Sequence, residues 1–203
     1  MSEAATLVTV MRHGAVAGAA NVLRGWQDTP LSDAGWQQLH SACAALDTPV
    51  THIAASTLIR CSAFAQAYAT QHALPLSLQE DLREINFGDW ENLTSDAAQA
   101  ATPTLFTKFQ NQPEGTTPPA GEPFDAFKLR VLSAFDACLS DARGGHLLLL
   151  THAGVMRVLL AANMRLPWAT TYRIALPPAG SFRLSCLSGH APYLLHLNPL
   201  CAT

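Results

Sequence analysis

Four places in this chain put a reactive side chain where an apolar run stops. Val8-Thr9-Val10-Met11 runs into Arg12, His13 and Gly14. Arg carries a planar fork of donors that matches a phosphate group. A neutral imidazole beside it can act as a nucleophile, and Gly14 lets the backbone approach a ligand closely. A second apolar run ends in Thr151-His152-Ala153-Gly154. Arg60 stands in Ser56-Thr57-Leu58-Ile59-Arg60-Cys61, where a phosphate would take a second guanidinium. Glu84 lies in Leu82-Arg83-Glu84-Ile85-Asn86-Phe87-Gly88-Asp89-Trp90, among large apolar neighbours that would desolvate its carboxyl and favour a general acid. Each also has an ordinary structural role open to it. Arg60 fits a surface arginine, and His152 a helix cap or the edge of a core. Arg83, Asp89 and Glu91 compete with Glu84, and Asp89 would equally serve the Gly88 turn. The Arg-His-Gly tripeptide alone is weakly specific.

The elements that must position these groups read as alternating strands and helices. Strands are predicted at 7–11, 51–55, 76–78 and 146–150, the last wholly apolar and therefore central. Helices are predicted from Ser32, as N-cap, to Leu46; from a Ser56-Thr57 cap to about His72, with Arg60 one turn in; over 124–142, ended by Gly144-Gly145; and over 154–164. Such alternation implies a mostly parallel sheet, which binds ligands at its strands' carboxyl ends. Adjacent strands would bring His13 and His152 together, and the helix after His152 would aim amide groups at an anion. Residues 15–26 are rich in Gly and Ala and suit a loop near a ligand. The rhythm breaks over 91–124, an Ala-rich helical piece followed by the Pro- and Gly-rich 113–123, read as a cap-like insertion. Residues 181–187 and 193–197 are expected to form an antiparallel hairpin at the sheet edge.

Composition narrows the function classes. The chain has 203 residues, 49% of them apolar, and suits one sizeable α/β domain. A net charge of −3 offers no basic face for nucleic acid and no polybasic run for a membrane surface. The five Cys (Cys43, Cys61, Cys138, Cys186 and Cys201) form no CxxC and suit reduced, partly buried thiols. The start reads as no signal peptide, and the apolar stretch 146–160 is interrupted by His152, Gly154 and Arg157. A cytoplasmic location is the default expectation. The eight His include two H-x5-H spacings, His146/His152 and His190/His196, but no CxxC accompanies either, which disfavours a zinc site.

Taken in order, Arg12-His13-Gly14, the Ser-x-Leu-x-Arg-Cys around Arg60, residues 82–91 and Thr151-His152-Ala153-Gly154 resemble the signature segments of the histidine phosphatase superfamily, across nearly the whole chain. Within it, Asn21-Val22-Leu23-Arg24-Gly25 with Asp28 and Leu31, residues 82–91, and Pro119-Ala120-Gly121-Glu122 are similar to α-ribazole phosphatases. The resemblance implies a single three-layer α/β/α domain over 1–203, of the phosphoglycerate mutase-like fold. It implies that His13 takes the phosphoryl group, and that Arg12, Arg60 and His152 hold its oxygens and offset charge. Glu84 would protonate the leaving alkoxide and then activate water. Asn21, Arg24 and Gly25 would belong to a substrate loop. No metal or other cofactor is implied, and the partner would be a small phosphomonoester, with monomer and homodimer both open.

One departure bears on activity. Relatives usually carry Glu or Gln and then Ser or Thr after Arg-His-Gly, whereas this chain has Ala15 and Val16 and so lacks a hydroxyl donor there. Arg24 is a candidate to compensate. The favoured expectation is a phosphomonoesterase acting on α-ribazole 5′-phosphate or the cobalamin 5′-phosphate. The rivals are a broad-specificity sugar-phosphate phosphatase, a phosphoglycerate mutase, which would carry a larger insertion than 91–124, and a non-catalytic phospho-ligand-binding module.

Overall fold

The computed structural model describes residues 4–19 and 21–198. Cys201 and the first three residues, which entered the thiol and leader expectations, lie outside the described residues. The strands are β1 (Thr6–Arg12), β2 (His52–Ser56), β3 (Leu76–Gln79), β4 (His146–Thr151), β5 (Ser181–Cys186) and β6 (Tyr193–Asn198). They form one sheet in the order β3-β2-β4-β1-β5-β6. The first four strands of that order run parallel, and β5 and β6 continue antiparallel as the expected hairpin. The wholly apolar run is indeed central: β4 lies between β2 and β1, with all six residues buried.

The helices are α1 (Asp33–Ala44), α2 (Ile59–His72), α3 (Ser95–Ala101), α4 (Pro103–Asn111), α5 (Phe124–Asp141), α6 (Ala153–Met164) and α7 (Trp168–Thr171). They cover both faces of the sheet. Side chains of successive strand residues point to opposite faces. Leu147 and Leu149 of β4 join Val8, Val10 and the buried faces of α5 and α6. Leu148 and Leu150 join Met11, Ile53, Ala55 and residues of α1 and α2. This is the three-layer, phosphoglycerate mutase-like architecture. Among the described residues, no helix is long and apolar enough to cross a membrane.

Ser32 caps α1 as expected, its Oγ accepting the Gly35 amide at 3.1 Å. The Ser56-Thr57 cap of α2 is not formed. The N-cap is Leu58, and the Ile59 amide donates instead to Asp28 Oδ1 at 2.6 Å. Tertiary partners claim both hydroxyls. Thr57 Oγ1 accepts from Arg83 Nε at 2.6 Å, and Ser56 Oγ lies 2.7 Å from a ring nitrogen of His152. Arg60 is thus the second residue of α2, not one turn in, and it is only 1% exposed. The surface reading of Arg60 is therefore wrong. Helices α4 and α7 were not anticipated. Phe106 and Phe109 of α4 pack edge-on against Trp90 at 5.0 and 5.5 Å.

Candidate active site

The register of β1 on β4 pairs Arg12 with Thr151, so the two chains leave the sheet side by side. His13 and His152 follow immediately, and their ring centroids are 5.3 Å apart. The backbone behind His13 is crowded. A Cβ on Gly14 would meet the Gly35 carbonyl oxygen at 2.2 Å, and one on Gly35 would meet the Ala15 oxygen at 1.9 Å. Two facing glycines let the turn seat against the start of α1.

The His13 ring is fixed by its Nδ1, 2.8 Å from the Gly14 carbonyl oxygen. A carbonyl only accepts, so Nδ1 carries the proton and Nε2 keeps its lone pair. Burial, helped by the charges of Arg12 and Arg60, holds the His13 pKa well below its usual value. The same causes act on His152, where burial leads and Arg60 follows. Its Nδ1 accepts from Arg60 Nε at 3.2 Å, which places the ring proton on Nε2, donated to Ser56 Oγ at 2.7 Å.

Arg60 also donates through Nη1 to the Gln27 carbonyl and through Nη2 to the Gly25 carbonyl, both at 2.7 Å. It therefore ties Gly25, in the loop of residues 15–26, and the adjoining Gln27 to His152. Arg12 Nη1 donates to the Leu176 carbonyl at 2.6 Å, while its buried Nε has no hydrogen-bond partner among the described residues. A buried guanidinium nitrogen without a partner is costly unless an anion meets it. Burial lowers the Arg12 pKa, and Glu84 acts in the opposite direction.

Glu84 is 9% exposed. Its surroundings are more polar than its apolar sequence neighbours suggest. Oε1 accepts the Ile85 amide at 3.1 Å, and Oε2 accepts the Gly154 amide at 3.0 Å. A Cβ on Gly154 would meet Oε1 at 2.2 Å, so the glycine at the start of α6 makes room for the carboxyl. Glu84 thus sits across the same helix start that follows His152. Among the described residues, no three His, Cys, Asp or Glu side chains gather as metal ligands.

The family model of the histidine phosphatase superfamily (branch 1) matches residues 8–198. This chain belongs to that superfamily. A probable phosphoglycerate mutase, GpmB of Yersinia pestis (strain Pestoides F), is 30% identical over 171 residues, covering 83% of this chain and 80% of its own. Among solved structures, YhfR of Bacillus stearothermophilus superposes with a TM-score of 0.81 at 26% identity, over 93% of this chain and 95% of that one. A putative α-ribazole-5′-P phosphatase from Escherichia coli K-12 superposes with a TM-score of 0.80 at 24% identity, over 96% and 97%. That last likeness is one of fold.

Around this site the structure adds residues that the motifs did not single out. Arg130 of α5 reaches behind the Glu84 segment. It donates to the carbonyls of Asp81 at 2.7 Å, Arg83 at 2.8 Å and Glu84 at 3.0 Å. Glu122 grips the same guanidinium at 2.6 and 2.7 Å. The signal available in sequence was Glu122 and Arg130 eight residues apart astride a helix start, which by itself implies no contact with Glu84. Gln38 takes the Ala15 amide on its Oε1 at 2.9 Å, and Val16 bridges Leu31. The positions that lack the usual polar side chains are therefore held by backbone pairing. Arg24 donates to the Ala19 carbonyl, with its pKa lowered by burial and by Arg60. Gly25 is buried against Glu91 and Arg60, whereas Asn21 is exposed with φ 58°. Asp89 is exposed and donates its amide to the Pro119 carbonyl at 2.8 Å.

Proposed function

We propose that this chain is a phosphomonoesterase that works through a phosphohistidine at His13. One observation carries the reading: a buried, neutral imidazole with Nδ1–H committed to Gly14 and Nε2 left as a nucleophile. In this mechanism Nε2 attacks phosphorus in line as the bond to the leaving alkoxide breaks. Arg12 and Arg60 hold the equatorial oxygens and offset their charge. His152 orients Arg60 and donates its Nε2–H to a phosphate oxygen by giving up Ser56. Glu84 supplies the proton to the leaving oxygen. As a carboxylate it then takes a proton from the water that attacks phosphohistidine, which releases inorganic phosphate and restores neutral His13. Arg12 and Arg60 supply the positive charge and neutral His152 a further donor, so the scheme routes no step through a metal.

The proposed substrate is α-ribazole 5′-phosphate, or the cobalamin 5′-phosphate. The sequence likeness around Asn21, Arg24 and Gly25 and across residues 82–91 supports it. In this proposal the chain acts as one domain over 1–203, with 91–124 as a cap beside the leaving group. The GpmB likeness supports a phosphoglycerate mutase as second reading. Rapid quench with a labelled phosphomonoester should trap an acid-labile, base-stable adduct on His13. Label on Ser or Asp, or none during fast turnover, defeats the nucleophile assignment. A kcat/KM higher for 3-phosphoglycerate isomerisation than for α-ribazole 5′-phosphate hydrolysis would select the mutase.

A further inference from the structure

To be protonated, the leaving oxygen must come within about 2.6–3.2 Å of the Glu84 carboxyl. Whatever that oxygen carries then lies against the surface bordering Glu84. Two exposed aromatic side chains are built into that border. Trp26 is 42% exposed, yet it is tightly held. Its indole Nε1–H donates to the Glu84 carbonyl at 2.8 Å, and its amide donates to Glu91 Oε1 at 2.7 Å. The Arg83 guanidinium lies 5.5 Å from its ring centroid. The flanking residues Gly25 and Gln27 are those whose carbonyls bind Arg60. The ring is thus pinned between the second phosphate arginine and the acid.

Tyr172, just after α7, is 41% exposed and lies within electrostatic reach of Glu84, whose charge acts on its hydroxyl. The Arg157 guanidinium lies 4.4 Å from its ring centroid and donates to the Thr171 carbonyl. Arg157 stands three residues beyond Gly154, on the helix face that presents the Glu84 contact. Trp168 packs edge-on against Tyr172 at 5.9 Å and against Phe124 at 4.8 Å, which fixes the ring from behind. Large aromatic faces left in water at a fixed angle are poor for folding and well suited to binding a flat partner, because little side-chain freedom remains to be lost.

We propose that Trp26 and Tyr172 form the leaving-group subsite and select alcohols that carry a flat ring, as a nucleoside does, over aliphatic ones. This rests on the phosphomonoesterase reading and deepens it. The arginines and histidines recognise the ester, and the two aromatics recognise what the ester is attached to. Stacking a base on one aromatic side chain changes affinity by roughly 5- to 100-fold.

The test compares esters that share a primary ribosyl phosphate: α-ribazole 5′-phosphate and adenosine 5′-monophosphate with the ring, and ribose 5-phosphate without it. Wild-type kcat/KM should favour both ring-bearing esters. Trp26→Ala should lower the ring-to-ribose ratio about tenfold, mainly through KM, and Trp26→Phe should recover most of it. Tyr172→Ala should lower the ratio less, and Tyr172→Phe should keep it. The ratio cancels any displacement of Glu84, since every ester needs the same acid. No ring preference in the wild type, or a ratio untouched by both alanine variants, overturns the subsite. If no ester turns over, the phosphomonoesterase reading fails separately. Calorimetric binding of adenosine 5′-monophosphate against ribose 5-phosphate then decides the subsite, and equal affinities overturn it. If adenosine 5′-monophosphate is preferred to α-ribazole 5′-phosphate, the proposed substrate fails and the subsite stands.

Discussion

Two buried clusters of histidine and arginine lie on the same sheet and differ in one respect. Beyond the carboxyl end of β1, His13 keeps Nε2 uncommitted and Arg12 keeps a buried Nε without a partner among the described residues. Toward the other end of β1, the cluster around Thr9 is closed. His146 Nδ1 donates to the Thr48 carbonyl at 3.0 Å, and its Nε2 accepts from Thr9 Oγ1 at 2.8 Å. That hydroxyl accepts from Arg183 Nε at 3.1 Å, and Arg183 pairs with Asp47. Both clusters contain buried histidines with pKa values lowered chiefly by burial. A perturbed histidine therefore does not distinguish them, whereas uncommitted donors and lone pairs do. Closed polar networks hold a fold together, and open ones await a ligand.

Substitution should separate the clusters cleanly. His13→Ala is expected to lose about 10⁴-fold or more in turnover, because nothing else supplies the attacking nitrogen. Thr9→Val should do the reverse. It strands Arg183 Nε and His146 Nε2, costing about 1–3 kcal/mol of unfolding free energy with kcat retained. Thermal melts and steady-state rates on both variants check the contrast, and a Thr9→Val enzyme that is stable but inactive would erase it.

Glu84→Gln is the next largest effect. Esters of alkyl alcohols should slow by about 10²–10⁴-fold, the usual contribution of general acid catalysis. Phosphorylation of His13 by p-nitrophenyl phosphate should suffer far less, since nitrophenolate leaves without a proton. Stopped-flow bursts report that step directly, and equal losses for both leaving groups would mark Glu84 as a positioning residue.

A smaller effect is expected at Arg130, whose guanidinium holds three carbonyls of the Glu84 segment. Arg130→Met should lower kcat on alkyl esters by about 10–100-fold, as losses of outer supporting contacts do. KM should change little, and p-nitrophenyl phosphate should be spared as with Glu84→Gln. A uniform loss on both ester types would show that Arg130 is merely structural.

The smallest effect concerns pH. His13 and His152 have folded pKa values well below the ordinary 6.5, so below that pH the unfolded chain binds protons that the folded chain refuses. Stability should be full above about pH 6.5 and fall as pH drops through and below it. Ring signals of the two residues should stay unprotonated in NMR titrations from pH 8 to 6. Titration of His13 with a midpoint near 6.5 would contradict its burial beside two arginines.

Much of this was written in local sequence. Apolar strand runs placed β1 and β4, the Ser32 cap placed α1, and wholly apolar 147–150 marked the central strand, because these depend on period and capping alone. The proposed catalytic and phosphate-binding residues His13, Arg60, Glu84 and His152 were legible as residue types near the ends of such runs. Their closeness was inferable once two adjacent parallel strands were assumed. Contacts between distant segments were decided only by the tertiary structure. Asp28 displaced the Ser56-Thr57 cap from 31 residues away, because its carboxylate reaches the Ile59 amide at 2.6 Å while His152 and Arg83 claim the hydroxyls. Arg60 became buried because carbonyls of the 15–26 loop and its neighbour Gln27 close over it. Arg130 found Glu84, and Trp26 found the Glu84 carbonyl, through backbone carbonyls, which every residue carries and no sequence pattern marks. A side chain's type follows from the sequence, but which carbonyl or lone pair meets it depends on how the chain closes on itself.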